Sequence, residues 1–400
     1  MASQAQAESL HPSFDFTLAK DSTASYVTGK DHSVCFPSSG SSYRPNGIRQ
    51  MNFTLSSHNQ FLDLSTLMLR CRVHNTHDTV GLKAMNASGG ALFRRVRLLI
   101  GVQPVEDIQD YNRLHVIAES CLLSKAKRAN LHAIGFGAGS AHHGLVEGLE
   151  IAAGSSRLIL WKPLLGICSM PKLFPVWAAP ITLELELADY GDAFLAGAAF
   201  AIESPVLLCN TISADSSLLD SYKGYLANGG ELTMAVNTFC QVSTAVTGPS
   251  FDVHLNRSLK MASTLYLSLQ NDGKVTGPFP GPDAATANTV EVYAQVGSKR
   301  IGAPYMGLRE LLFRLQEAVG VANSAAHSLD ITESEYSNQK FVVAIDLLRL
   351  GDVKYSGQDL LAKNCSVHVE NFGGTLSKAY LACAYEAIVK IGLDTVSVFT

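Results

Sequence analysis

The chain has 400 residues, of which 47% are apolar and only 16% charged, against roughly 25% charged in an average soluble protein. Its 31 Lys and Arg nearly balance its 35 Asp and Glu, leaving a formal charge of −4. This excludes disorder over the whole chain, and it excludes a strongly basic binder that neutralises a nucleic-acid backbone. The length suits two ordinary domains or one large one.

The first residues, Met1 to Phe14, are rich in Ala, Gln, Ser and Glu and carry no apolar core, so no export signal is read there. The eight cysteines include no C-x-x-C pair, and buried free thiols are expected rather than a disulfide framework. The longest apolar run, Ala193 to Ile202, falls short of the roughly 20 residues of a membrane span. A soluble intracellular protein is expected.

Residues 1–47 are rich in Ser, His, Asp and Gly and lack periodicity, which reads as an N-terminal arm. From Met51 onward, apolar and polar residues alternate. Met51, Phe53 and Leu55 do so first, then Leu67, Leu69, Cys71 and Val73. Val96, Leu98, Ile100 and Val102 follow, then Ile181, Leu183, Leu185 and Leu187. Val290 to Val296 and Cys365 to Val369 repeat the pattern. Such alternation places one face of a strand on a core.

Helical period is found in three places. One stripe comprises Tyr111, Leu114, Ile117, Ala118, Cys121 and Leu122. A second is Leu218, Leu219, Tyr222 and Leu226, closed by Asn228-Gly-Gly. The third is Leu308, Leu311, Leu312, Leu315 and Val319. Lys125-Ala-Lys-Arg128 is expected at a helix end, complementing the dipole. Many strands with few helices predict an all-β protein built of sandwiches.

The chain also resembles itself. A shift of 194 residues places Val96 on Val290, Leu98 on Val292 and Tyr111 on Tyr305. A shift of 184 places Leu158 on Val342, Leu183 on Val367 and Leu185 on Val369. Two copies of one sandwich are expected, about 160 residues each, joined through the middle helix.

No catalytic, cofactor-binding or metal-binding residues are assigned. Gly135-Phe-Gly-Ala-Gly lacks the Lys-Ser/Thr of a phosphate loop. His142 and His143 are adjacent and diverge, with no third ligand at a recognisable spacing. His368 with Glu370, and Glu184 with Glu186, occupy the polar faces of strands, where a solvated or interface role is the default. Trp161 and Trp177 are expected in packing, and Thr276 to Asn288 as an exposed hairpin tip.

Several segments, in order, resemble the double jelly-roll major capsid proteins of tailless icosahedral double-stranded DNA viruses, of the polinton-like virus and virophage type. They are Met51-Asn-Phe-Thr-Leu with Phe61 to Val73, and Ala91 to Ile100 followed by Tyr111 and its helix. Ile181 to Leu187 with Pro205 to Cys209, Ile331 to Leu348, and Ala379 to Tyr385 complete the series. Gln339-Lys340 departs from the family, which often has Gly beside an aromatic residue there.

The resemblance implies two tandem eight-stranded jelly rolls with a few short helices. Residues 1–47 would be the arm, 48–212 the first jelly roll, 213–230 a linker helix and 231–400 the second jelly roll. It implies a homotrimer, a pseudo-hexameric capsomer that meets neighbouring capsomers and penton and minor capsid proteins. The expected place is the virion, after assembly in the cytoplasm or nucleus of the host cell. No enzyme activity, cofactor or sequence-specific nucleic-acid binding is implied. Two other readings of tandem sandwiches are a carbohydrate-binding attachment or vertex protein using Trp161, Trp177 or the 276–288 loop, and a bicupin-like metalloenzyme. The second needs His/Glu clusters in each half, where Leu98/Val292 and Leu183/Val367 are apolar.

Overall fold

The structure, a computed structural model, describes residues 26–142, 145–195, 199–271, 279–321, 329, 331–348, 356–393 and 395–400. Its first half contains β1 (Val27–Cys35), β2 (Ser42–Tyr43), β3 (Gln50–Leu55), β4 (Gln60–Asn75), β5 (Phe93–Ile100) and β6 (Gln103–Gln109). Helices α1 (Tyr111–Ile117) and α2 (Lys125–Ile134) follow, then β7 (Ala138–His142), β8 (Leu145–Gly148), β9 (Ser156–Trp161) and β10 (Ile181–Leu187). Short α3 (Tyr190–Ala193) and long β11 (Phe200–Ala214) complete it. Helix α4 (Ser216–Ala227) leads to the second half. There, β12 (Leu232–Ala245), β13 (Phe251–Leu255), β14 (Ala262–Gln270), β15 (Glu291–Val296) and β16 (Lys299–Met306) precede α5 (Gly307–Ala318) and α6 (Glu333–Asn338). The chain ends with β17 (Val342–Asp346), β18 (Cys365–Glu370), β19 (Lys378–Ile391) and β20 (Val396–Phe399).

Each half is a pair of facing antiparallel sheets. In the first, the order β1-β11-β4-β9 faces β3-β10-β5-β6. In the second, β12-β19-β14-β17 faces β13-β18-β15-β16. The two halves therefore match strand for strand, each with eight principal strands in jelly-roll order. Strands β2 and β20 are additions to β11 and β19, and β7 and β8 form a separate hairpin.

The cores follow from alternation. In β10, Ile181, Leu183, Leu185 and Leu187 are all buried and the residues between them are not. Leu183 lies opposite Leu98 of β5 and Phe53 of β3, so one inward row crosses three strands. Burying each such side chain contributes roughly 1.5–3 kcal/mol. The alternation fails at Val102, which is 84% exposed. Gly101 takes φ +60° and turns the chain there, a backbone conformation open to glycine at little cost.

Gly297, with φ +61°, turns the β15–β16 hairpin at the same place. That equivalence corrects the internal alignment. Ile100 pairs with Gln103, and Val296 with Lys299, so β5 and β6 map onto β15 and β16 with a shift of 196 rather than 194. The first residues of α1 and α5, Tyr111 and Gly307, are also 196 apart. The slip of two preserves the inward face, which is why alternation alone did not reveal it. Tyr305 lies in β16 and is not the counterpart of Tyr111.

The arm expected over residues 1–47 needs a second correction. Residues 1–25 lie outside the described residues, but Val27–Cys35 is an edge strand paired to β11, from Val27 opposite Ala214 to Cys35 opposite Leu207. Its sequence, VTGKDHSVC, buries little and so carries no alternation. The strand forms because β11 offers a row of backbone partners. The basic cluster is also misplaced by the sequence reading. Lys125, Lys127 and Arg128 open α2 rather than end a helix, at the pole where cations are disfavoured.

Candidate functional site: the joint between the jelly rolls

The most elaborate polar structure in the described residues lies between the two sandwiches. Helix α1 starts after Asp110, which takes a left-handed φ of 47°. Every residue of α1 is buried, including Asn112, Arg113 and His115. The helix is enclosed because its outer side is covered by the β12-β19-β14-β17 sheet of the second jelly roll.

Arg113 is 0% exposed. Its Nε donates to Ser268 Oγ at 3.1 Å, and its Nη2 donates to the Leu269 carbonyl. The guanidinium lies 3.9 Å from the centroid of the Phe279 ring and 5.1 Å from that of Tyr380. Tyr380 donates to Gln270 Oε1 at 2.7 Å, tying β19 to β14 beside the arginine. A planar cation with several donors suits a site made of two rings, a hydroxyl and a carbonyl.

Glu106 on β6 is the second anchor. It accepts from the backbone amides of Gly166 and Ile167, both at 2.9 Å, and from the Thr238 hydroxyl of β12. Burial pushes its carboxyl up, opposed by those three donors. Gln241 of β12 donates to the carbonyls of Gln109 and Asp110 at 3.3 and 3.0 Å. At Gly166 the backbones approach so closely that an added Cβ would lie 1.8 Å from the Asn237 carbonyl oxygen.

The outer faces of the other two sheets carry charged ladders. Arg95 donates to both carboxylate oxygens of Asp107, at 2.8 and 2.7 Å, and Arg97 donates to Glu184 at 3.3 Å. In the second half, His368 lies 2.5 Å from Asp252 and 3.0 Å from Ser366 Oγ, under the Tyr293 ring. This Ser-His-Asp chain lies flat on a sheet face, with the Arg300 guanidinium 3.6 Å from the centroid of the same Tyr293 ring. Of the carboxylates noted on strand faces, Glu184 thus pairs with Arg97, and Glu370 accepts from the Tyr293 hydroxyl at 3.3 Å.

Trp161 offers no exposed platform. Trp161 is 2% exposed, with its ring 4.3 Å from Phe93 and 5.7 Å from Tyr111. Trp177 is half-buried against Phe61. In the expected hairpin tip, residues 276–278 lie outside the described residues, and Phe279 is buried beneath Arg113. Sequence reading missed Arg113, Glu106 and Gln241 because a charged residue on a helix or strand is solvated by default. The one visible signal was a helix at the same distance after the same strand in both halves.

No protein-family model matches the chain, and no curated protein does. Solved structures do. VP54 of the virus PBCV-1, as fitted into a reconstruction of the virophage Sputnik, aligns with a TM-score of 0.65 at 10% identity, over 93% of this chain and 97% of that one. A chain from the cryo-EM structure of the Sputnik virophage aligns with a TM-score of 0.63 at 11% identity, over 100% and 92%. The Faustovirus major capsid protein aligns with a TM-score of 0.64 at 9% identity, over 91% and 90%. The chain has the double jelly-roll fold of these proteins.

Proposed function

We propose that this protein is the major capsid protein of a tailless icosahedral double-stranded DNA virus, and that three copies close into a pseudo-hexagonal capsomer. The observation that carries the reading is the joint. Each jelly roll has a donor side, formed by its β6- or β16-type edge with the helix that follows, and an acceptor side, the outer face of the four-stranded sheet opposite. Within one chain the donor side of the first unit meets the acceptor side of the second. Among the described residues, that leaves α5 with β16, and the outer face of β1-β11-β4-β9 away from Phe61, where Tyr222 of α4 packs, without a counterpart in the other unit.

Repeating the joint between chains joins these two surfaces. Such a contact is heterologous, and three two-unit chains close it into a ring of six similar units. Residue 309, the counterpart of Arg113 at a shift of 196, is also an arginine; it is exposed and pairs with Glu333 at 2.9 Å. Phe313 on α5 is 50% exposed. On the acceptor side, Val34, Leu208 and Met68 form one row across three strands, beside a shallow depression that His32 and Asn210 also line. Leu158 of β9 is 54% exposed on the same face, opposite Arg72. Arg70 and Arg72 there face outward, while on α5 Glu310 and Glu317 pair with Arg314 at 3.6 and 2.8 Å.

In this reading residues 48–212 and 231–400 are the two capsomer units, 213–230 links them, and the strand at 27–35 extends the first. Neighbouring capsomers and vertex proteins are the partners, the virion is the location, and no catalysis is assigned. Sparse charge suits surfaces that face other subunits, since desolvating charge is costly. Size-exclusion chromatography with light scattering tests the reading. A trimer, with hexagonal outlines in negative stain, is expected; a monomer at micromolar concentration that forms no particles overturns it.

A further inference from the structure

Among the described strands, one register sets cysteine directly against cysteine. Cys240 of β12 lies opposite Cys383 of β19 in an antiparallel pair that runs without a bulge from Leu232 to Ala245. Both side chains belong to the core of the second jelly roll, 3% and 0% exposed. Residues directly opposite in such a pair have Cα atoms about 4.5 or 5.5 Å apart, and their side chains leave the sheet on the same face. A disulfide spans Cα separations of about 4.4–6.8 Å. The backbone therefore already holds the two residues at a separation that a disulfide can bridge.

The two thiols also act on each other in opposite directions. Contact with Cys383 holds the Cys240 thiol below its ordinary value against the effect of burial, while the same contact, together with burial, pushes Cys383 well above it. One thiol that loses its proton beside one that keeps it is the arrangement of an attacking and a resolving thiol. Strand β12 is the edge of its sheet, so the pair is reached when that one strand lifts. Its Thr238 and Gln241, on either side of Cys240, are the residues that bond to the first jelly roll. Cys365 of β18, in the facing sheet, is a third thiol in the same core.

We propose that Cys240 and Cys383 are an oxidative modification site, a dithiol that a small disulfide of the oxidised-glutathione class closes into a cross-strand disulfide between β12 and β19. The Cys240 thiolate attacks one sulfur of the small disulfide and forms a mixed disulfide. The first small thiol leaves with the proton that Cys240 gave up. Cys383 then loses its proton and attacks the Cys240 sulfur, and the second small thiol leaves with that proton. Two protein thiols are oxidised, one small disulfide is reduced to two thiols, and no further oxidant is needed. The new bond closes a long loop and ties down the strand that carries Thr238 and Gln241 to the joint. On the capsid reading, and resting on it, a chain made in a reducing cell would be locked after release into an oxidising medium. The sequence reading expected free thiols, which the reduced chain has; the pair is invisible there because only strand register brings it together.

The test uses the full native chain with Cys35→Ala, which removes the one partly exposed thiol and so prevents simple mixed disulfides there. The reduced protein is equilibrated in glutathione buffers of increasing oxidised fraction until its composition no longer changes, then blocked in denaturant and mapped without reduction. The expected result is the loss of two reactive thiols per chain and a linked peptide pair containing Cys240 and Cys383. The urea midpoint of the oxidised form should rise and return on reduction by dithiothreitol, a comparison that needs no further variant. Cys240→Ala and Cys383→Ala should each abolish the linked pair and the rise. A full set of free thiols in the most oxidising buffer overturns the proposal. So does a bond that joins either residue to Cys365 instead. Neither readout depends on whether trimers form, so failure here and failure of the capsid reading are distinguishable.

Discussion

Arg113 of the first jelly roll lies with its guanidinium 3.9 Å from the centre of the Phe279 ring of the second, and both residues are completely buried. A cation held between two sandwiches by a ring, a hydroxyl and a carbonyl makes the pair one cooperative element rather than two beads on a linker.

Phe279→Ala should therefore destabilise the whole chain by about 3–5 kcal/mol. Arg113→Met should destabilise it less than Arg113→Ala, since methionine refills the space without a buried charge. Urea unfolding of the single and double variants should show a coupling energy above about 0.5 kcal/mol between Arg113 and Phe279. Additive effects would show that the two act separately.

The proposed heterologous contact makes a prediction about mixtures. Phe313→Asp spoils only the donor side and Met68→Asp only the acceptor side. Each variant alone should be monomeric by light scattering, with a stability change within about 1 kcal/mol. Mixed, they retain one sound pairing and should give dimers but no closed rings. Trimers from either variant alone would place the subunit contact elsewhere.

Glu106 should give the joint a pH dependence of definite sign. Burial raises its carboxyl in the folded chain above its unfolded value. Its contribution to stability is then fully present below the ordinary carboxyl value of about 4.3 and is lost as pH rises through the raised folded value. The stability of the wild type relative to Glu106→Gln should fall across that window. A difference that stays flat, or rises with pH, would contradict this.

Gly166→Ala should be far more damaging than Gly101→Ala. The first drives a Cβ into the Asn237 carbonyl across the joint, and neither atom is at the end of a flexible side chain. The second meets only open contact and strain at φ +60°, worth about 1–2 kcal/mol. Thermal melts of the two variants should separate clearly in that order.

The eight cysteines are all free thiols, seven of them buried and Cys35 partly exposed. Burial pushes Cys71 and Cys121 up to about 12 and Cys209 and Cys365 up to about 11. A thiol reagent should label about one cysteine per native chain and eight in denaturant. Fast labelling of more than one in the native protein would contradict the burial of the other seven.

The inward rows of β3, β5, β10 and β18 were legible in the sequence because alternation is a local property of the backbone. Leu183 and Val367 announce their buried face whatever strand lies beside them. The free cysteines, the middle helix and the repetition of strand, hairpin and helix in the two halves were legible on similar grounds. Register was not, because a slip of two residues leaves the same face inward, and only the matching Gly101 and Gly297 turns resolve it.

What the tertiary structure alone decided is where polar residues go. Val27–Cys35 became a strand through the free edge of β11, with partners nearly two hundred residues away. Arg113 became a core residue through Ser268, 155 positions further along the chain. A hydrophobic side chain seeks any core, so its pattern can be read locally. A buried charge is tolerable only beside particular partners, and those partners exist only once the two halves have folded together.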